Sequence, residues 1–266
     1  GKPAPFSSAE DIINEKLMRA LPSPMNRFMR KGIVLEEAVR LAALRLYGGQ
    51  HDQDSIGAFD TPSPNDPMGL AGNPDFIWQQ LPNMRILADI KVPGSGEESL
   101  SDEVKQFLYL CQLNTYNILN EARDLPKFDR LINIHLELPT VVTDAMVAKL
   151  SKEGQRALPC VVEEMVTLLK YEIPGMRLHM VEQPINPSIT FNGTERFLCD
   201  VIKETAACNW QCVLDGDVPE PTPSPSIHLS DIQKSRLVEK ETRLLKLQAF
   251  NESVQGQVIG LQSQIK

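Results

Sequence analysis

The chain has 266 residues, 42 % of them hydrophobic and 6 % aromatic, with a net charge of −8. Length and apolar content exclude wholesale disorder and leave room for one large domain plus an appendage. The acidic balance excludes a surface coated with positive charge and indiscriminate attachment to nucleic acid, although a basic channel on an acidic body is compatible with it.

The first residues, GKPAPFSSAED, hold no apolar signal region, and Gly1 in place of an initiator Met reads as an end left by cleavage. No stretch approaches the ~20 apolar residues of a membrane span. Cys111, Cys160, Cys199, Cys208 and Cys212 are odd in number and loosely spaced. They fit free thiols in a reducing compartment, so a cytoplasmic protein is the expectation.

SSAEDIINEKLMRAL predicts a first helix capped by Ser8, with Asp11 in capping-box position and Pro22 and Pro24 as stops. A second helix is predicted from about Asn26 to Tyr47 on the spacing of Ile33, Leu35, Ala38, Val39, Ala42 and Leu46, ended by Gly48-Gly49. QHDQDSIGAFDTPSPNDPMG reads as a polar loop. AGNPDFIW and MRILADIKV, joined by LPN, read as an antiparallel hairpin, followed by the loop PGSGEES. Ser101 is placed to cap a helix through DEVKQFLYLCQLNTYNILNEA, with Val104, Phe107, Leu108, Cys111, Thr115, Ile118 and Leu119 as its apolar face. RLINIHLELP is a strand closed by Pro139. Helices at about 143–150 and 160–171, divided near Pro159, a strand MRLHMVEQ and a helix at about 193–207 complete the pass.

Composition then changes. Residues 215–228, with DGDVPEPTPSPS, form a Pro-rich linker, which separates a domain over 1–214 from a C-terminal helix over 229–266. In that helix Leu237, Leu244, Asn251, Val258 and Ile265 fall at heptad position a, and Leu247, Val254 and Leu261 at d. Lys240 at the first d position weakens the start of the seam. The segment is a short coiled-coil candidate with Asn251 as a register-setting residue, or else an amphipathic helix docking on its own domain.

The feature that stands out is ILADIKVP. Asp89 and Lys91 lie two apart inside an apolar strand, so both point to one face. A surface strand edge with a local ion pair would explain them. Asp75 begins the partner strand, and two carboxylates brought together repel unless a cation lies between them; oxygen-rich carboxylate sites suit Mg²⁺ or Mn²⁺. Glu36 follows Gly32 by one turn on the same side of the second helix, where Gly32 would permit a close approach. Gln112 and Tyr116 share a helix face at i,i+4, where a glutamine can orient a water or a lysine. Taken singly, Glu36, Gln112 and Tyr116 are ordinary helix-surface residues. His135 and His179 read as structural strand residues, and His51 belongs to the acidic loop.

In this order, Gly-xxx-Glu, Pro-Asp, Asp-x-Lys and Gln-xxx-Tyr resemble the PD-(D/E)xK nuclease superfamily, above all its RecB-like branch and the phage lambda-type exonucleases. GNPDFIW, ADIKVP and ACNWQCVLDGDVPEP, with Trp210, are similar to segments of that group, and the resemblance covers about Met29 to Pro221. It implies an α/β (α+β) fold with a restriction-endonuclease-like central mixed sheet flanked by helices, plus the C-terminal helical appendage. It implies a metal-dependent DNA exonuclease acting on linear duplex ends, 5′ to 3′, in phage-type recombination or DNA processing. The alternatives are a structure-specific or restriction-like endonuclease, and a non-catalytic DNA-binding or assembly module.

By the same resemblance Asp75, Asp89, the Ile90 carbonyl and Glu36 would hold Mg²⁺ or Mn²⁺. Lys91 would position or deprotonate the attacking water, Gln112 would orient Lys91 or the water, and Tyr116 would support the site or touch the DNA backbone. Arg27, Arg30 and Lys31 precede Glu36 and either face incoming phosphates or are simply solvated. Implied partners are double-stranded DNA ends, further copies of the chain in a trimer, and a single-strand annealing protein, within a bacterial or phage-infected cell. The iron–sulfur cluster of some relatives needs a cysteine ahead of the Gly-xxx-Glu motif; the first cysteine here is Cys111, which speaks against a cluster. Cys208, Cys212 and His228 lack zinc-site spacing.

Overall fold

The computed structural model describes Ile13 and residues 16–19, 27–81, 83–92 and 103–217. Most of the expected first helix, the linker and the C-terminal helix lie outside these residues, as does Ser101. Helix α1 (Arg27–Tyr47) is followed by strand β1 (Gln50–His51), short helix α2 (Gln53–Gly57), strands β2 (Phe76–Leu81) and β3 (Met84–Lys91), and helix α3 (Glu103–Ala122). Strand β4 (Arg130–Glu137), helices α4 (Thr140–Glu153) and α5 (Leu158–Leu169), strands β5 (Arg177–Gln183), β6 (Ser188–Phe191) and β7 (Thr194–Phe197), and helix α6 (Leu198–Asp215) follow.

Strands β1 to β5 form one mixed sheet in sequence order. The β2–β3 hairpin is antiparallel, with an irregularity between Gln79 and Leu81. Strand β4 runs parallel to β3, which a hairpin cannot achieve, and α3 provides the crossover. Strand β5 closes the sheet antiparallel to β4.

Strand alternation divides the sheet into two faces. Phe76, Trp78, Ile86, Ala88, Ile90, Ile132, Ile134 and Leu136 join one core with α1, α4 and α5. The helices meet it through stripes at helical spacing: Leu35, Ala38, Val39, Ala42 and Ala43 on α1, and Leu158, Val161, Val162, Met165 and Leu169 on α5. On the other face Ile77, Leu87 and Leu131 pack against Leu113, Tyr116 and Leu119 of α3, with Phe59 and Phe128. Layers on both sides explain why β4 is buried along nearly its whole length.

Several expectations are corrected. The polar stretch after Gly49 opens with β1, paired to β2, and with α2, whose cap Asp52 accepts from the Ser55 amide. The helix expected at about 193–207 begins only at Leu198 and reaches Asp215, because residues 188–197 form the β6–β7 hairpin. Helix α4 is longer than read, α5 starts two residues earlier than read, and Pro159 lies in the first turn of α5, where its missing N–H costs nothing. Helix α3 buries Ile118 and Leu119 as expected, but the first part of the expected face does not turn inward. Val104 and Phe107 are largely exposed, whereas Asn114, Asn117 and Asn120 are buried. Those amides are used: Asn114 donates to the Pro184 carbonyl and accepts from the Asn186 amide, and Asn120 accepts from Arg85 and donates to the Pro126 carbonyl. Phe107, Cys111 and Thr115 instead line a hollow of about 500 Å³ shared with Leu198, Val201 and Trp210 of α6. Gly32 is corrected too, since a Cβ there would meet nothing within 4 Å. Among the described residues no helix is long and apolar enough to cross a membrane.

Candidate active site

The face of the sheet covered by α3 changes character along β3. Leu87 is apolar core, but the next residues on that face are Asp89 and Lys91. Their β4 neighbours in register are Asn133 and His135. Four polar side chains thus stand together on this face, from the end of β3 and the middle of β4, and Asp89, Asn133 and His135 are almost fully buried.

The Lys91 ammonium lies 2.6 Å from Asp89 Oδ2 and donates to Gln112 Oε1 at 2.9 Å. It also sits 4.7 Å from the centre of the Tyr109 ring, within cation–π range. Gln112 Nε2 donates to the Tyr116 hydroxyl at 3.0 Å, one helical turn on. Lys91, Gln112 and Tyr116 therefore form one chain of contacts. Burial pushes the Tyr116 hydroxyl up to about 12, so it stays protonated. Its ring is approached by Gly72, where a Cβ would come within 2.8 Å of Tyr116 Cε1. That approach, at a φ of +151°, gives the glycine of GNPDF a steric reason.

Asp75 arrives from just before β2. Its Oδ2 accepts from the Ile90 amide at 2.8 Å, and Arg40 Nη1 donates to its backbone carbonyl at 3.2 Å. Burial first, then the negative charges of Asp89 and Glu36, push its carboxyl up to about 8, with partial relief from the Ile90 N–H and from Lys91. Glu36, half-buried on α1, is raised by burial against the pull of Arg40, with Asp89 raising it further. Asp75 and Glu36 thus each feel neighbouring negative charge, and three acids face two cations, Lys91 and Arg40.

Asp75, Asp89, Ile90, Lys91, Gln112 and Tyr116 are brought together, with Glu36 within electrostatic reach. Lys31 is not: it is buried on α1, and its ammonium pairs with Asp144 of α4 at 3.2 Å. Arg30 is exposed, and the Arg27 side chain lies outside the described residues. Tyr109, Asn133, His135 and Arg40 were not among the expected site residues. The polar alternation of Asn133, His135 and Glu137 in RLINIHLE was the available signal for the β4 pair. His135 faces Tyr109 at 5.7 Å between rings, and burial with the Lys91 charge lowers its pKa to about 4, so the imidazole is neutral. His179, its β5 neighbour, is bound to Glu137 at 2.5 Å. His51 lies on β1 with Nδ1 near the Ile77 carbonyl.

No family model, curated protein or solved structure matches this chain.

Among the described residues, no group of three or more His, Cys, Asp and Glu side chains is placed to hold a metal ion. The donor chemistry near Lys91 nevertheless suits a hard cation. Asp89 Oδ1 is buried with no hydrogen-bond partner, and Asp75 carries a carboxylate whose charge the surroundings oppose. Oxygen donors with surplus negative charge are what Mg²⁺ and Mn²⁺ prefer.

Proposed function

We propose that the protein is a divalent-metal-dependent nuclease of the PD-(D/E)xK kind, acting as an exonuclease on ends of linear duplex DNA, and we read its mixed sheet as restriction-endonuclease-like. The observation that carries this reading is the Lys91 ammonium bridging Asp89 and Gln112, beside an Asp75 carboxylate that costs energy to ionise. A structural ion pair needs one acid and one base. It gives no reason for a second buried acid or for a glutamine–tyrosine chain aimed at the lysine.

Asp75, Asp89, the Ile90 carbonyl and Glu36 would hold Mg²⁺ or Mn²⁺, which when bound would activate water and neutralise charge on a phosphodiester. Lys91 is engaged by Asp89, Gln112 and the Tyr109 ring, an arrangement that suits a cation holding a phosphate oxygen or the attacking water more than a base. Gln112 fixes the direction of that ammonium, and Tyr116 fixes Gln112. Burial of Asp89 and Tyr116 limits water around the reacting group, so each charge acts through a lower dielectric. Phosphate contacts of this kind carry no base information, so cleavage would be sequence-independent and salt-sensitive. Self-association through residues 229–266 belongs to the same proposal.

The test is digestion of end-labelled linear duplex with Mg²⁺, comparing 5′-phosphate, 5′-hydroxyl and covalently closed circular DNA. Nucleotide release from linear ends with circles spared is expected, and Lys91→Ala should slow it by about 10²–10³-fold. A Lys91→Ala protein with undiminished activity would falsify the assignment. Nicking of closed circles would point to an endonuclease, and DNA binding with no cleavage to a non-catalytic module.

A further inference from the structure

Asp89 has two oxygens with different surroundings. Oδ2 receives Lys91 Nζ at 2.6 Å and Asn133 Nδ2 at 3.1 Å. Oδ1 is buried and receives nothing. Asn133 reaches this carboxylate because β4 runs parallel to β3 in a register that sets it directly beside Asp89. Its amide orientation is dictated by charge: reversed, its carbonyl oxygen would face a carboxylate oxygen.

Asn133 is fully buried between Ile132 and Ile134, and its own Oδ1 has no partner. An apolar residue there would avoid that desolvation, so the amide weakens the strand it sits in. A group retained at such a cost needs a role, and its one side-chain hydrogen bond among the described residues is to Asp89. Lys91 alone could swing Asp89 with it, because a lysine stem is flexible. A short asparagine on a buried central strand cannot move in that way.

We propose that Asn133 is a positioning residue that assigns the two oxygens of Asp89, committing Oδ2 to the protein and leaving Oδ1 for a divalent cation. This rests on the nuclease reading of the same site. Residues that orient a ligand carboxylate are typically worth about 10–100-fold in metal affinity. Asn133 thereby acts on binding through Asp89 without touching the cation.

The experiment measures Mn²⁺ binding to the full chain by electron paramagnetic resonance, without DNA. Asn133→Leu keeps the branched shape and removes the donor, Asn133→Ala removes it without filling the space, and Asn133→Ser retains a hydroxyl donor. Circular dichroism melts identify which variants fold. Folded Leu or Ala variants should bind Mn²⁺ about tenfold or more weakly than the wild type, with Ser recovering part of the loss. Either variant binding as tightly as the wild type, while the wild type still cleaves DNA, overturns the role of Asn133 and leaves the nuclease reading standing. A Ser variant as weak as both others overturns it as well, since restoring a donor would then restore nothing. A wild-type chain that neither binds Mn²⁺ nor cleaves DNA overturns both.

Discussion

Asp75→Asn is expected to make the protein more stable while abolishing metal-dependent cleavage. Asparagine has the same size and keeps an oxygen for the Ile90 amide, so packing and that hydrogen bond survive. What disappears is a carboxyl whose pKa rises from 3.8 to about 8 on folding, chiefly through burial. An acid raised in this way binds a proton in the folded state that the unfolded chain has already released. Its contribution is therefore fully present below the unfolded pKa and is lost as pH rises through about 8. One such proton costs about 1.4 kcal/mol of stability per pH unit within the window, so up to about 4 kcal/mol between about pH 5 and pH 8. Relaxation of a buried group reduces this, and a change of about 2–4 kcal/mol is the working expectation. Urea unfolding of wild type and variant in EDTA at both pH values measures it. Differencing the two proteins removes groups that titrate independently of Asp75, leaving Asp75 and the acids coupled to it. The variant's advantage should grow toward alkaline pH, and Mg²⁺ should restore the wild type more than the variant. An advantage that stays flat or shrinks with rising pH refutes the picture of Asp75 as a buried acid in a site with surplus negative charge.

Other changes probe neighbouring parts of the same face. Gly72→Ala places a Cβ 2.8 Å from Tyr116 Cε1 at a backbone angle that L residues rarely adopt; it should cost about 1–3 kcal/mol in urea unfolding, and a neutral result would mean that the approach is relieved cheaply. Tyr116→Phe removes the acceptor for Gln112 Nε2 but keeps the ring in the core. Stability should fall by about 1 kcal/mol, and kcat should fall by a larger factor than KM changes. Steady-state rates on the labelled duplex check that split, and a change confined to KM would remove Tyr116 from the chain that orients Lys91.

Much of this site was legible because its parts are local. Strand alternation alone puts Asp89 and Lys91 on one face, and the i,i+4 spacing alone puts Gln112 beside Tyr116. The stripe on α1 was readable for the same reason. The first half of the α3 face was not, because apolar spacing does not say which neighbour a stripe will meet. Phe107 and Cys111 turn to the hollow beside α6, while Asn114 faces inward because the Pro184 carbonyl and the Asn186 amide, far along the sequence, satisfy it. Lys31 shows the same limit. It reads as a candidate phosphate contact ahead of Glu36, and its actual partner, Asp144, lies 113 residues away.

Asn133 and His135 mark the boundary most clearly. The sequence by itself determined that β4 is a strand whose Asn133, His135 and Glu137 share a side, and that β3 presents Asp89 and Lys91 together. Only the tertiary structure decided that those two sides coincide, since a parallel register shifted by one residue would have turned the β4 amide and imidazole into the opposite core. That register follows from packing Ile132, Ile134 and Leu136 against α1, α4 and α5, a sum over contacts distant in the chain. The side-chain chemistry is therefore local, but the pairing that gives Asp89 one occupied oxygen and one free oxygen belongs to the assembled sheet.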